Sequence, residues 1–109
     1  MKLLTRPEEM ILLTILKLKG NAYGVSIREQ IYKDTGEKWS FASIYQPLDK
    51  LVRKEYVEKE KGEPTAERGG KSKFYYNVTD DGKQALLKVR EAQDKIWAGV
   101  PRLALENSK

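Results

Sequence analysis

Lys73-Phe74-Tyr75-Tyr76-Asn77-Val78-Thr79-Asp80-Asp81-Gly82 changes character part-way along. Its first six residues suit an extended, half-buried backbone, which predicts a strand. The last four read as a helix start: Thr79 can cap free amides of the first turn, and Asp80 and Asp81 bring negative charge to the positive end of the helix. Immediately upstream, Tyr56-Val57-Glu58-Lys59-Glu60-Lys61 alternates weakly, and Gly62, Pro64, Gly69 and Gly70 follow it. That punctuation predicts a β-hairpin with a long loop. Arg68, Lys71 and Lys73 put positive charge at the loop tip, while Glu58, Glu60, Glu63 and Glu67 lie nearer its base. A phosphate backbone would attract the tip and repel the rest of the hairpin.

Three helical patterns precede the hairpin. Thr5-Arg6-Pro7-Glu8 is a capping box with proline in the first turn, and Met10, Ile11, Leu12, Leu13, Ile15, Leu16 and Leu18 are apolar nearly all round, as in a helix buried on several sides. Lys19-Gly20-Asn21 ends that helix, with Gly20 suited to a left-handed cap. From about Tyr23 to Asp34, Tyr23, Ile27 and Ile31 recur every four residues while Arg28, Glu29 and Lys33 point away, and Thr35-Gly36 stops the run. Ser40 is the expected cap of a third helix whose apolar face is Phe41, Ile44, Leu48 and Leu51. Pro47 inside it cannot donate to the Ser43 carbonyl, so a kink or loosened turn is expected there.

Downstream of Thr79, Leu86, Val89, Gln93, Ile96, Val100 and Leu103 recur at alternating spacings of three and four, the pattern of a heptad seam. A seam on a long helix at the end of a small domain predicts a homodimer, and Pro101 should end or bend that helix near Gly99.

Composition narrows the function. The chain has 109 residues, 39% of them hydrophobic, which suits a single modest core. With no cysteine and no histidine it lacks disulfides, thiolate nucleophiles and the commonest metal ligand and general base. Glu8-Glu9 and Asp80-Asp81 are adjacent acids that do not share a helix face and read as helix N-terminal acids. No enzyme, cofactor or metal is therefore expected. Arg6, Pro7, Glu8 and Glu9 interrupt any apolar run near the N-terminus, so no signal peptide or membrane span is expected, and a soluble, cytoplasmic protein is. The net charge of +5 permits a polyanionic partner.

The predicted fold is mainly α with a small β-hairpin: a winged helix-turn-helix over residues 1–78 and a long C-terminal dimerisation helix over 79–109, packed on the same domain. That order of parts is the order found in DNA-binding proteins whose third helix enters the major groove. A winged helix can also serve as a protein-interaction module without DNA binding, which would leave Lys71 and Lys73 idle.

The residues further resemble the PadR family of bacterial transcriptional regulators, in its short form with one C-terminal helix. Ala22-Tyr23-Gly24 is similar to the family's start of helix two, and Ser40-Phe41-Ala42-Ser43-Ile44-Tyr45 to its Ser-Pro-Gly-Thr-Leu-Tyr start of the recognition helix. Leu48 and Leu51 match the leucines that follow. Gly69 to Gly82 resembles the family's Gly-basic-Lys-Tyr-Tyr-x-Leu-Thr-x-x-Gly wing, and the likeness spans roughly residues 10 to 98. Three positions depart from the pattern: Phe74 stands where many members carry a base, Glu55 replaces the glycine that closes the recognition helix, and Pro47 lies one residue late. If Glu55 keeps the left-handed backbone of that glycine, the cost is up to about 1 kcal/mol.

The candidate DNA-binding residues follow from position. Ser40, Ser43, Tyr45 and Gln46 are the polar side chains of the recognition helix's leading end, and Gln46 has the chemistry to pair with an adenine edge. For Ser40 and Ser43 the alternative is capping and bonding back to the helix; for Tyr45 it is packing. Lys50 and Arg53 lie further along and suit phosphates. Lys54 does too, or else belongs to a solvated face. Lys71, Ser72 and Lys73 are expected to grip phosphates or enter the minor groove, with one of Tyr75 and Tyr76 facing the core. The resemblance implies repression at a palindromic operator, with double-stranded DNA as partner. It also implies response to a small-molecule effector near the dimer core, where Gln93 and Trp97 are the candidates; ordinary dimer packing is the alternative for Trp97.

Overall fold

A computed structural model of the chain describes residues 2–64 and 72–106. Its elements run α1 (Arg6–Leu18), α2 (Gly24–Thr35), α3 (Phe41–Arg53), β1 (Val57–Pro64), β2 (Ser72–Val78), α4 (Asp80–Ala98) and α5 (Arg102–Glu106). This is the mainly helical, hairpin-bearing order read from the sequence.

The caps form as their chemistry demands. Thr5 Oγ1 accepts from the Glu8 amide at 3.3 Å while the Thr5 amide donates to Glu8 Oε1 at 2.8 Å, so two free donors at the start of α1 are satisfied reciprocally. Ser40 Oγ accepts from the Ser43 amide at 3.1 Å, and Thr79 Oγ1 from the Gly82 amide at 3.1 Å. At the end of α1 the left-handed turn takes two residues, Lys19 at φ 48° and Gly20 at φ 89°. Pro47 withholds an amide from the Ser43 carbonyl without ending α3. Ser43 is exposed, so water can take that carbonyl.

The core is a meeting of helix stripes: Ile11, Leu12 and Ile15 from α1, Ile27 and Ile31 from α2, and Ile44, Leu48 and Leu51 from α3, closed by Val57, Tyr76 and Leu86. Each aliphatic side chain buried there contributes about 1.5–3 kcal/mol. Trp39 packs against the edge of this cluster. Two expectations about packing need correction. Leu13 and Leu16 are exposed, because α2, α3 and the hairpin cover only one side of α1. Phe41 also lies outside the core: at the first turn of α3 it projects beyond the edge of the cluster, where nothing covers it completely.

The hairpin is antiparallel, pairing Val57 with Val78 and Lys59 with Tyr76, and its register shifts between Lys61 and Pro64. Of the two tyrosines, Tyr76 faces the core and Tyr75 the other side, as strand alternation requires. The Tyr76 amide donates to the Ala22 carbonyl at 2.9 Å and the Thr79 amide to the Tyr56 carbonyl at 3.0 Å, fixing the wing on the helices.

The predicted seam divides in two. Leu86 and Val89 are buried within the chain's own fold, whereas Ile96, Val100 and Leu103 are exposed. The long helix ends at Ala98, and α5 begins just past Pro101, where the sequence expected a break. Among the described residues no helix is long and apolar enough to cross a membrane.

Candidate nucleic-acid interface

Ser43, Tyr45, Gln46, Lys50 and Arg53 are all exposed on α3, and so is Ser40, its cap. The buried stripe of Ile44, Leu48 and Leu51 leaves the opposite faces of the helix to water, and these residues occupy them. They divide between two flanks. Ser40, Ser43, Gln46 and Lys50 line a groove of about 840 Å³ with Trp39, Pro47 and the start of α1. Tyr45 lies on the other flank, in a cleft of about 510 Å³ between the start of α2 and the wing, with Tyr23, Phe41, Lys73 and Phe74. Arg53 stands in the last turn.

Hydrogen bonding shows what each group has left to offer. The Ser40 and Ser43 hydroxyls lie 3.0 Å apart, so the capping alternative accounts for part of their capacity. Tyr45 partly packs: its hydroxyl lies so close to Gly24 that a Cβ there would overlap it, yet its ring remains partly exposed. Lys54 is engaged elsewhere, donating to Glu8 Oε2 at 2.8 Å and joining the end of α3 to the start of α1. Among the described residues Lys50 and Arg53 have no ion-pair partner, which leaves their charge available.

On the wing, the Lys73 ammonium lies 4.2 Å from the Tyr23 ring centroid, and Tyr23 meets Tyr75 edge to face at 5.7 Å. Lys59 sits 4.4 Å over the Phe74 ring. Ser72 opens β2 opposite Pro64. Lys71, like Arg68 and the glycines beside it, lies outside the described residues. At the floor of the cleft Tyr76 is buried, and burial, with Tyr45 and Asp49 adding to it, pushes its phenol up to about 12. It stays neutral and acts as wall.

The structure therefore brings Lys73 of the wing to the same cleft as Tyr45 of α3, and adds two basic residues the sequence reading did not select. Arg28 of α2 places its guanidinium 4.7 Å from the Phe41 centroid, and Lys59 of β1 lines the cleft. Arg28 was legible only as a residue pointing away from the apolar face of its own helix.

Gln93 and Trp97 sit on a different flank. With Leu13, Leu16, Leu86 and Leu87 they line a groove of about 510 Å³ between α1 and α4. The Gln93 amide donates to both carboxylate oxygens of Glu9 at 3.2 Å, and Trp97 is 61% exposed.

The model of the transcriptional regulator PadR-like family matches residues 12–88, from α1 through the wing and into α4. The chain belongs to that family. It is a DNA-binding transcriptional regulator, as the arrangement of α3 and the wing suggests on its own. Solved structures are similar over most of the chain. A PadR-like transcriptional regulator from Bacillus cereus is similar with a TM-score of 0.71 at 22% identity, covering 94% of this chain and 92% of that one. A PadR family transcription regulator from Clostridium difficile gives a TM-score of 0.64 at 21% identity, with 84% and 91% covered. RosR of H. salinarum gives 0.67 at 25% identity, with 94% and 87% covered. A comparison with curated proteins finds no significant match.

Proposed function

We propose that the protein is a homodimeric repressor that binds a palindromic operator, reading bases with the leading turn of α3 and gripping phosphates with the wing. The observation that carries this reading is the shared cleft: Tyr45 of α3 and Lys73 of β2 line it together, so a duplex that meets the Tyr45 flank of α3 can meet the wing as well. Ser40, Ser43, Tyr45 and Gln46 are assigned to base edges. Lys50, Arg53, Lys71, Ser72 and Lys73 are assigned to the sugar-phosphate backbone.

The dimer is supported by apolar surface that the single chain leaves open. Ile96, Trp97, Val100 and Leu103 are exposed toward the C-terminal end, and Leu13 and Leu16 are open on α1. Two subunits joined there would set twin recognition helices about 34 Å apart, one turn of DNA. In this reading the groove holding Gln93 and Trp97 takes a small aromatic effector, and occupancy shifts the spacing of the two helices.

Selection of bound fragments from a random duplex pool tests the reading. Two inverted half-sites with centres about ten base pairs apart are expected. Replacing Lys71 and Lys73 with Ala should weaken binding to all sequences and flatten the salt dependence by up to about one log-log unit per lost contact. An unchanged slope removes the wing from the mechanism. An affinity for duplex DNA that ignores salt favours the protein-interaction module instead.

A further inference from the structure

The geometry points to Phe41 as a base-reading residue that takes the 5-methyl group of a thymine in the major groove. The inference rests on the DNA-binding reading above and deepens it, adding apolar recognition to a set of polar readers.

Phe41 is the first residue of α3, directly after the Ser40 cap, where side chains of a recognition helix reach base edges. By helical period it belongs with Ile44, Leu48 and Leu51, all fully buried, yet it is 45% exposed. Two contacts fix the ring in that exposed position. Tyr45, one turn later, stacks on it with centroids 6.3 Å apart and planes 26° from parallel. The Arg28 guanidinium lies 4.7 Å from its centroid, and Arg28 Nε donates to the Trp39 carbonyl at 2.6 Å, which holds the cation in place. A ring clamped in this way loses little rotamer freedom when it meets a ligand.

Its neighbours point the same way. The Ser40 and Ser43 hydroxyls are turned toward each other and toward the cap, so the first turn presents less polar chemistry than its sequence suggests. Beside them the first turn presents an exposed apolar ring. In the major groove the matching apolar feature is the thymine methyl, which cytosine lacks.

The test uses the full chain and the operator obtained from the random pool. Each thymine is replaced singly by deoxyuridine, which removes only the methyl group. Wild type is expected to lose about fourfold in affinity at one thymine of each half-site, the worth of one methyl-sized apolar contact. Phe41→Ala should bind the thymine and uracil duplexes equally, and Phe41→Leu should keep part of the preference. Both variants should retain the wild-type salt slope and a folded, helical circular dichroism spectrum, since the ring is outside the core. An operator without thymine under the helix tip overturns the inference, as does wild-type indifference to every replacement or a preference that survives in Phe41→Ala. In each of those cases salt-dependent binding would persist and the DNA-binding reading would stand. Loss of salt-dependent binding by wild type would overturn that reading and the inference with it.

Discussion

Glu55 holds φ at 63°, in the left-handed region, at the turn between α3 and β1. Its amide donates to the Val52 carbonyl and its own carbonyl accepts from Thr79 Oγ1 at 2.8 Å, so the backbone there is fixed by bonds that any residue would make. A side chain with a Cβ is strained in that conformation, and glycine is not. Glu55→Gly should therefore stabilise the fold by up to about 1 kcal/mol in chemical denaturation, part of the gain being offset by the freedom of glycine in the unfolded chain. Gly82 is the opposite case. A Cβ there would overlap the Tyr56 carbonyl oxygen and lie 2.8 Å from Val78 Cγ1. Backbone cannot step aside as a flexible side chain can, so Gly82→Ala should cost about 1–3 kcal/mol and loosen the start of α4 from the hairpin, read as a lowered melting temperature.

The elements are joined by a few ion pairs and side-chain hydrogen bonds. Lys17 and Asp34 link α1 to α2 at 2.6 Å, Gln93 and Glu9 link α4 to α1, and Lys54 and Glu8 link α3 to α1. Glu8 is 2% exposed. Burial alone would raise its pKa, but the Lys54 ammonium and the Thr5 amide outweigh that and hold the carboxyl below its ordinary value of 4.5. A depressed folded-state pKa gives stability that is present above the unfolded value and lost as pH falls through the folded one. Lys54→Met should remove the offset. At neutral pH it should cost about 1–2 kcal/mol, less than a fully buried pair because Lys54 reaches water. The deficit relative to wild type should shrink as pH falls below 4.5 and through the depressed pKa of Glu8, because protonation there takes the pair away from wild type as well. Denaturation midpoints measured between neutral and acid pH check this, and a deficit independent of pH would assign the loss to packing of the lysine stem.

At the scale of the molecule, the C-terminal end of α4 and all of α5 stand away from the core. Ile96 is 72% exposed, and Leu103 and Leu105 are exposed beyond Pro101. Surface of this kind marks an interaction site, and in the proposed dimer a second copy covers it. Ile96→Glu together with Leu103→Glu should shift the protein to monomer in sedimentation at micromolar concentration while leaving its helical circular dichroism nearly unchanged, because neither side chain contributes to the core. The same double variant should lose cooperative binding to a two-half-site operator and keep weak binding to one half-site, since each α3 and wing remain intact.

Local chemistry settled most of the architecture. The caps at Thr5, Ser40 and Thr79, the apolar residues at helical spacing in α2 and α3, and the Tyr75-Tyr76 alternation each satisfy donors or bury apolar area within a few residues, so the chain states them without reference to distant parts. Tertiary structure decided what depends on where one element ends against another. It divided the heptad seam, because α1 reaches Leu86 and Val89 but not Ile96. It committed Lys54 to Glu8, forty-six positions away in the chain. It also left Phe41 in water under Arg28, although its spacing matched the core, because the coverage of a helix face is set by the length and angle of its neighbours. Periodicity gives the direction of a side chain, and only packing gives what waits there.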